Sequence, residues 1–159
     1  VDNHATVERY ERVWLAFGMV MILVFIGLTA YIVISHGNTI PRAGGVVDVS
    51  KVRSEGEFAN PRVVETAEGY TVYAQAFTYG YLPAEIRVKQ GKPVTFLITS
   101  PDVQHGFYLE GTNINPQIVP GYVTKVVHTF DKPATHRIVC NEYCGIGHAA
   151  MFGKVVVEK

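Results

Sequence analysis

Between Val13 and Ser35 the chain carries no charged residue: VWLAFGMVMILVFIGLTAYIVIS. Those 23 residues would run about 34 Å as a helix, at ~1.5 Å per residue. The hydrocarbon core of a bilayer is about 30 Å thick, so the segment spans with a little tilt. A core helix of a soluble protein would show a polar stripe, and none is present. A cleaved signal peptide would have a shorter apolar core and a small-residue cleavage site, which the following HGNTIPRAGG supplies poorly. The segment therefore reads as a retained transmembrane anchor. Arg9 and Arg12 lie close before it and the nearest cation after it is Arg42. That bias places the N-terminus in the cytoplasm and the rest of the chain on the outer, periplasmic side. Trp14 and Tyr31 fall near the two interfaces, where amphipathic rings are favoured.

The remaining chain divides by composition. Residues 1–37 form the N-terminal segment and anchor. Residues 38–69 are rich in Gly, Pro and polar side chains and read as a connector. From residue 70 to 159 the texture changes. YTVYAQAF, EIRV, PVTFLIT, VTKVVHTF, THRIVC and FGKVVVE are short, rich in Val, Ile, Thr and aromatics, and separated by Gly or Pro. Strands at this spacing predict a small antiparallel sandwich or barrel. The 14 basic and 14 acidic residues cancel, so nothing in the charge supports a nucleic-acid partner.

Both cysteines, a histidine and a methionine crowd into CNEYCGIGHAAM, residues 140–151. A disulfide between Cys140 and Cys144 would close a very short loop and leave His148 and Met151 without a purpose. Zinc would accept the cysteines and a histidine but rarely takes a thioether, whereas copper does. A one-copper site needs two His, one Cys and an axial Met, with most of them on a loop between the last two strands. THRIVC and GKVVVE frame such a loop, but Cys140 would be redundant. Two thiolates bridging two metals, with one His on each and weak axial donors, use Cys140, Cys144, His148, Met151 and one upstream His. That is the most economical reading.

Of the six histidines, His4 and His36 lie near the membrane and His128 and His136 within strand-like segments. His105 sits in the polar turn SPDVQHGFYLEG after PVTFLIT. Loops on a rigid β scaffold are where ligands tend to be placed, which favours His105 as the upstream donor. A ligating histidine usually has its second ring nitrogen held by a further side chain. The sequence does not identify that side chain, although Asp102 lies close.

The run from Cys140 to Met151 fits C-x-E-x-C-G-x-x-H-x-x-M, and it resembles the binuclear copper A motif of subunit II of the haem–copper (cytochrome c) oxidases. Asp102–Phe107 is similar to that family's other histidine segment, and Pro120-Gly121 sits where the family has a turn. A single membrane span resembles the B-type, or ba-type, branch. No C-x-x-C-H haem-attachment motif is present, so no fused cytochrome c domain is expected. The resemblance implies an all-β, cupredoxin-like Greek-key sandwich behind one N-terminal transmembrane helix.

It also implies roles. Cys140 and Cys144 would bridge both coppers, His105 and His148 would each bind one, and Met151 would be a weak axial ligand. The backbone carbonyl of Glu142 would be the other axial ligand. In many relatives the carboxylate at that position helps bind magnesium at the contact with subunit I, which makes Glu142 a magnesium candidate here. The chain would take electrons from a c-type cytochrome and pass them to haem in subunit I, where oxygen is reduced to water. Many relatives have a Trp/Tyr run through which electrons arrive. This chain has Phe77, Tyr79 and Tyr81 at alternate positions and no Trp there, so Phe77 and Tyr79 are candidates for that port or for ordinary strand packing. Phe107, Ile146 and Phe152 are candidate apolar residues around the metals. Two other readings stay open: the copper subunit of a nitric-oxide reductase, and a membrane-tethered copper-binding protein without turnover.

Overall fold

The computed structural model describes residues 3–36 and 42–159. Residues 1, 2 and 37–41, which belong to the expected N-terminal segment and the start of the connector, lie outside the described residues.

Helix α1 spans Asn3–His36, 34 residues, and so extends the uncharged run at its N-terminal end by a charged segment in which Glu8 and Arg12 pair at 3.8 Å. None of its apolar window is buried within the chain, and the mean hydropathy is 2.6. An apolar surface all round, with no protein cover, matches a lipid environment. Two hydroxyls within the apolar run are satisfied internally: Thr29 Oγ1 donates to Phe25 O at 2.8 Å and Ser35 Oγ to Tyr31 O at 2.7 Å. Lipid offers no partner for a bare hydroxyl, so this back-bonding is what lets Thr and Ser sit there.

The second unit is a β sandwich. Its strands are β1 (Arg42–Val46), β2 (Arg62–Thr66), β3 (Gly69–Phe77), β4 (Gly80–Leu82), β5 (Glu85–Lys89), β6 (Pro93–Thr99), β7 (His105–Gly106), β8 (Tyr108–Leu109), β9 (Gln117–Ile118), β10 (Tyr122–Thr129), β11 (Ala134–Val139) and β12 (Phe152–Glu158). One sheet runs β1-β10-β6-β3-β2 with β4 on β3, a second runs β5-β12-β11-β8, and β7 pairs with β9. Alternation sets the inner faces. Val94, Phe96 and Ile98 of β6 are buried, as are Val72, Ala74 and Ala76 of β3. They meet Ile86, Val88, Ile138, Val155 and Val157 of the second sheet in one core. The sheets are mixed rather than antiparallel throughout, because β3 pairs with β6 and β12 with β5 in parallel. The chain visits the other sheet between β4 and β6, so β6 returns beside β3 in the same direction.

The stretch read as a connector does structural work from Arg42 onward. It supplies β1, which pairs with β10, and β2, which pairs with β3. Between them Val52 and Phe58 are buried with Val123, and Val47, Tyr73 and Leu97 pack against them on the outer face of the first sheet. Buried Gln75 holds this strap down: its Nε2 donates to Phe58 O at 2.6 Å and to Val52 O at 3.3 Å. Two apolar residues six apart in a Gly- and polar-rich stretch show neither helix nor strand periodicity, which is why composition alone suggested a linker.

Candidate metal centre

Two chain segments converge at one end of the sandwich. The first is the turn after β6. Ser100 Oγ donates to Val103 O at 2.6 Å, and the turn delivers His105 as the first residue of β7, opposite Ile118. The second is the loop from Cys140 to Met151. Its base is closed by the last β11–β12 pair, Val139 with Phe152, and by Cys140 N donating to Met151 O at 3.4 Å. A short 3-10 turn, His148–Ala150, fixes its far side, with His148 N donating to Gly145 O at 3.0 Å.

The donor atoms meet where these segments meet. Cys140 Sγ and Cys144 Sγ are free thiols 3.8 Å apart. His105 Nδ1 lies 4.0 Å from Cys140 Sγ, and His148 Nδ1 lies 3.7 Å from Cys144 Sγ. Met151 Sδ is 3.7 Å from Cys144 Sγ, and the Glu142 carbonyl is 3.1 Å from Cys140 Sγ. His105 and Met151 are fully buried and both cysteines nearly so. Among the described residues, His105, Cys140 and Cys144 form the cluster of metal-capable His, Cys and acidic groups. Every side chain named from the sequence as a donor is thus in one place, with each histidine beside a different thiol.

The chemistry of the set is that of a soft metal. Two thiols, a thioether and two imidazoles suit copper. Burial, followed by the adjacent Cys140 thiol, pushes the Cys144 thiol up to about 11. Metal binding must therefore displace a proton from the Cys144 sulfur.

The surroundings orient the donors. Asp102 Oδ1 accepts from His105 Nε2 at 2.8 Å. Asp102 Oδ2 accepts from Thr78 N at 2.8 Å and from Thr78 Oγ1 at 3.0 Å. Burial opposes the charged form of Asp102, but the bonds from His105, Thr78 and Val103 outweigh it and hold the carboxyl down at about 2. An ionised carboxylate only accepts, so the His105 proton sits on Nε2 and the Nδ1 lone pair faces the sulfurs. Gly106 N donates to Cys140 Sγ at 3.4 Å. A Cβ on Gly106 would stand 2.0 Å from Asn141 Oδ1, so this close approach requires glycine. The loop's opening residues are held from β9 and the segment before it: Asn141 Nδ2 donates to Asn115 Oδ1 at 2.8 Å and Gln117 Nε2 to Glu142 Oε2 at 2.9 Å.

Other sequence expectations fall differently. Phe107 is buried against Tyr81 and Phe96, but Ile146 is 98% exposed and Phe152 43% exposed. The latter two point outward because Ile146 tops the loop and Phe152 packs under the Arg137 guanidinium, 4.7 Å from its ring. Phe77 is half-buried, with its ring against Gly80, whereas Tyr79 lies over Gly145 and Gly147 of the loop. His128 and His136 flank Phe130, apart from the donor cluster. Thr78, Asn115 and Gln117 carry no motif signal, because their roles arise only from pairing across the fold.

The family described as cytochrome C oxidase subunit II, periplasmic domain, matches residues 72–159, and its transmembrane counterpart matches residues 2–36. The chain belongs to the cytochrome c oxidase subunit II family. Cytochrome c oxidase subunit 2 of Thermus thermophilus is 48% identical over 98% of this chain and 96% of that protein. A haem–copper terminal oxidase dimer solved by cryo-EM superposes with a TM-score of 0.74 at 30% identity, covering 94% of this chain and 99% of the matched one. The periplasmic domain of subunit II from Bradyrhizobium japonicum shares the fold at 18% identity, with a TM-score of 0.53 over 60% of this chain and 88% of that one. As a subunit II chain it is part of an oxidoreductase complex, and its β unit is the cupredoxin-like sandwich expected from the sequence.

Proposed function

We propose that the chain is the electron-accepting subunit of a respiratory terminal oxidase, holding two coppers between the loop 140–151 and His105. The observation that carries this reading is the placement of each histidine Nδ1 beside a different one of two thiols 3.8 Å apart. A single copper would use both histidines but only one of the two thiols, leaving the other buried and idle. In this reading the Cys140 and Cys144 thiolates would be the shared donors of the copper pair, His105 and His148 would each supply an imidazole, and Met151 and the Glu142 carbonyl would be the weaker donors. When bound, the copper pair supplies a one-electron couple.

The chain's own residues do the rest. Cys140 and Cys144 give up their protons on loading. Asp102 and the loop hydrogen bonds hold the donors in place, so little rearrangement accompanies a change of charge. Buried Phe107, Met151 and Tyr81 keep water from the sulfurs. The exposed Ile146 and Tyr143, on a loop with no Asp, Glu, Lys or Arg from Tyr143 to Met151, offer an apolar face to a c-type cytochrome. The subunit delivers electrons to the haem-bearing subunit I, with α1 crossing the cell membrane, its N-terminus cytoplasmic and the sandwich outside. The Glu142 carboxylate, steadied by Gln117, is the position for magnesium at the subunit I contact.

Copper loading of the full chain in detergent tests the central claim. Two coppers per chain and an EPR spectrum with the spin shared over both nuclei are expected, and Cys140→Ser should abolish the shared-spin signal. One copper with a blue spectrum would sink the binuclear reading.

A further inference from the structure

The loop that carries His148 contains two glycines for two different reasons. Gly145 has φ +127°, a conformation that L side chains rarely adopt. Gly147 has φ −85° and ψ 6°, the bridge region that non-glycine residues occupy in type I turns. Its backbone therefore does not call for glycine. What does is Tyr79: a Cβ on Gly147 would lie 2.5 Å from Cδ2 and 2.6 Å from Cγ of that ring. Cγ sits next to the Tyr79 backbone, so a small swing of the ring tip would not relieve the clash. A Cβ on Gly145 would likewise come within 2.6 Å of the Tyr79 hydroxyl. The ring is seated in the notch that these two glycines leave, one residue before His148.

The same residue is tied to the other histidine. Thr78, its neighbour, donates through both N and Oγ1 to Asp102 Oδ2, and the other oxygen of that carboxylate accepts from His105 Nε2. A continuous path thus runs from His105 through Asp102, Thr78 and Tyr79 to Gly147 and His148, without passing through any metal. We infer that Tyr79 is a positioning residue for both histidines: its ring sets the loop bearing His148, and its tether to Asp102 sets His105. The ring then serves as a spacer that fixes the separation of the two imidazoles before copper arrives. This inference rests on His105 and His148 being the copper-binding histidines.

A cycle of full-length variants in detergent tests it. Gly147→Ala should weaken copper retention against a chelator by about tenfold or more, the usual scale for disturbing the support of a metal ligand. In a Tyr79→Ala background the same alanine should cost nothing further, because the ring it strikes is gone. An equal loss in both backgrounds would overturn the proposal.

The metal-free full chain separates this from the copper reading itself. Ring 15N signals of both His105 and His148 should move in Tyr79→Ala and stay in place in Tyr79→Phe, which keeps the ring. A His105 signal unchanged in Tyr79→Ala rules out the linkage, whatever metal the site holds. Should Tyr79→Ala not fold, Thr78→Val removes one bond to Asp102 and leaves the core intact. It too should move both histidine signals, and movement of neither rules the linkage out.

Discussion

Asp102 accepts from His105 Nε2 at 2.8 Å, and that bond decides which ring nitrogen is left for the thiols. Asp102→Ala removes it and frees the imidazole to rotate or change tautomer. Copper retention should fall by about 10–100-fold, as is typical when the partner of a ligating histidine is removed. Asp102→Asn keeps an acceptor for His105 but not for both Thr78 donors, so its loss should be smaller. Chelator competition on the full chain measures both, and equal retention in Asp102→Ala and wild type would show that His105 needs no such support.

Gln75 offers a second test, of the strap rather than the metal. Gln75→Leu preserves most of the volume but leaves the carbonyls of Val52 and Phe58 without their side-chain donor. An unsatisfied buried polar group costs about 1–3 kcal/mol, and urea unfolding of the metal-free chain in detergent should show a loss of that order. A neutral substitution would mean that water reaches those carbonyls and that residues 47–58 are loosely held.

These two sites differ in how visible they are beforehand. The proposed donors Cys140, Cys144, His148 and Met151 are legible because metal chemistry demands particular atoms at loop spacing, and a strand on either side marks the loop. β6 and β12 are legible from alternation and composition. The strap is not, since Val52 and Phe58 are buried by an outward sheet face that no local pattern announces. Tyr79 is half legible: its aromatic character is evident, but its seat over Gly145 and Gly147 depends on two segments far apart in sequence. Ile146 is misleading for the same reason, because an apolar residue between glycines reads as buried until the loop's direction is known.

His128 provides a pH-dependent prediction away from the metal. It packs edge-on to Phe130, and His136 also lies against that ring, with centroids 5.2 Å apart. Burial lowers its affinity for a proton, Asp131 opposes that shift, and His136 adds to it. A folded-state value below the unfolded one means that stability is fully present above about pH 6.5, the ordinary imidazole value. It is lost as pH falls from there through the folded-state value. Thermal unfolding of the metal-free chain should therefore show a midpoint that drops between pH 7 and pH 5. His128→Gln should flatten that part of the drop. An identical pH profile in the variant would show that His128 titrates alike in both states.

Ile146 is 98% exposed and Tyr143 76% exposed, on the loop that holds the donors. Contiguous exposed apolar surface can mark an interaction site, and these two side chains make the loop a candidate docking face. An exposed residue can be changed without disturbing the core, so Ile146→Asp should leave folding, copper content and EPR spectrum as they are. Burying an aspartate against an apolar partner surface is costly. In the assembled oxidase, kcat/KM for a reduced c-type cytochrome should fall by about tenfold, which corresponds to about 1.4 kcal/mol of lost complex stability. Val127 is also exposed but lies on β10, within the first sheet. Val127→Asp should therefore leave the rate unchanged. If both variants slow the reaction equally, the effect is one of general charge. If neither does, the cytochrome approaches from another face. Only a loss confined to Ile146→Asp places the donor over the loop, a short step from Cys144 and His148.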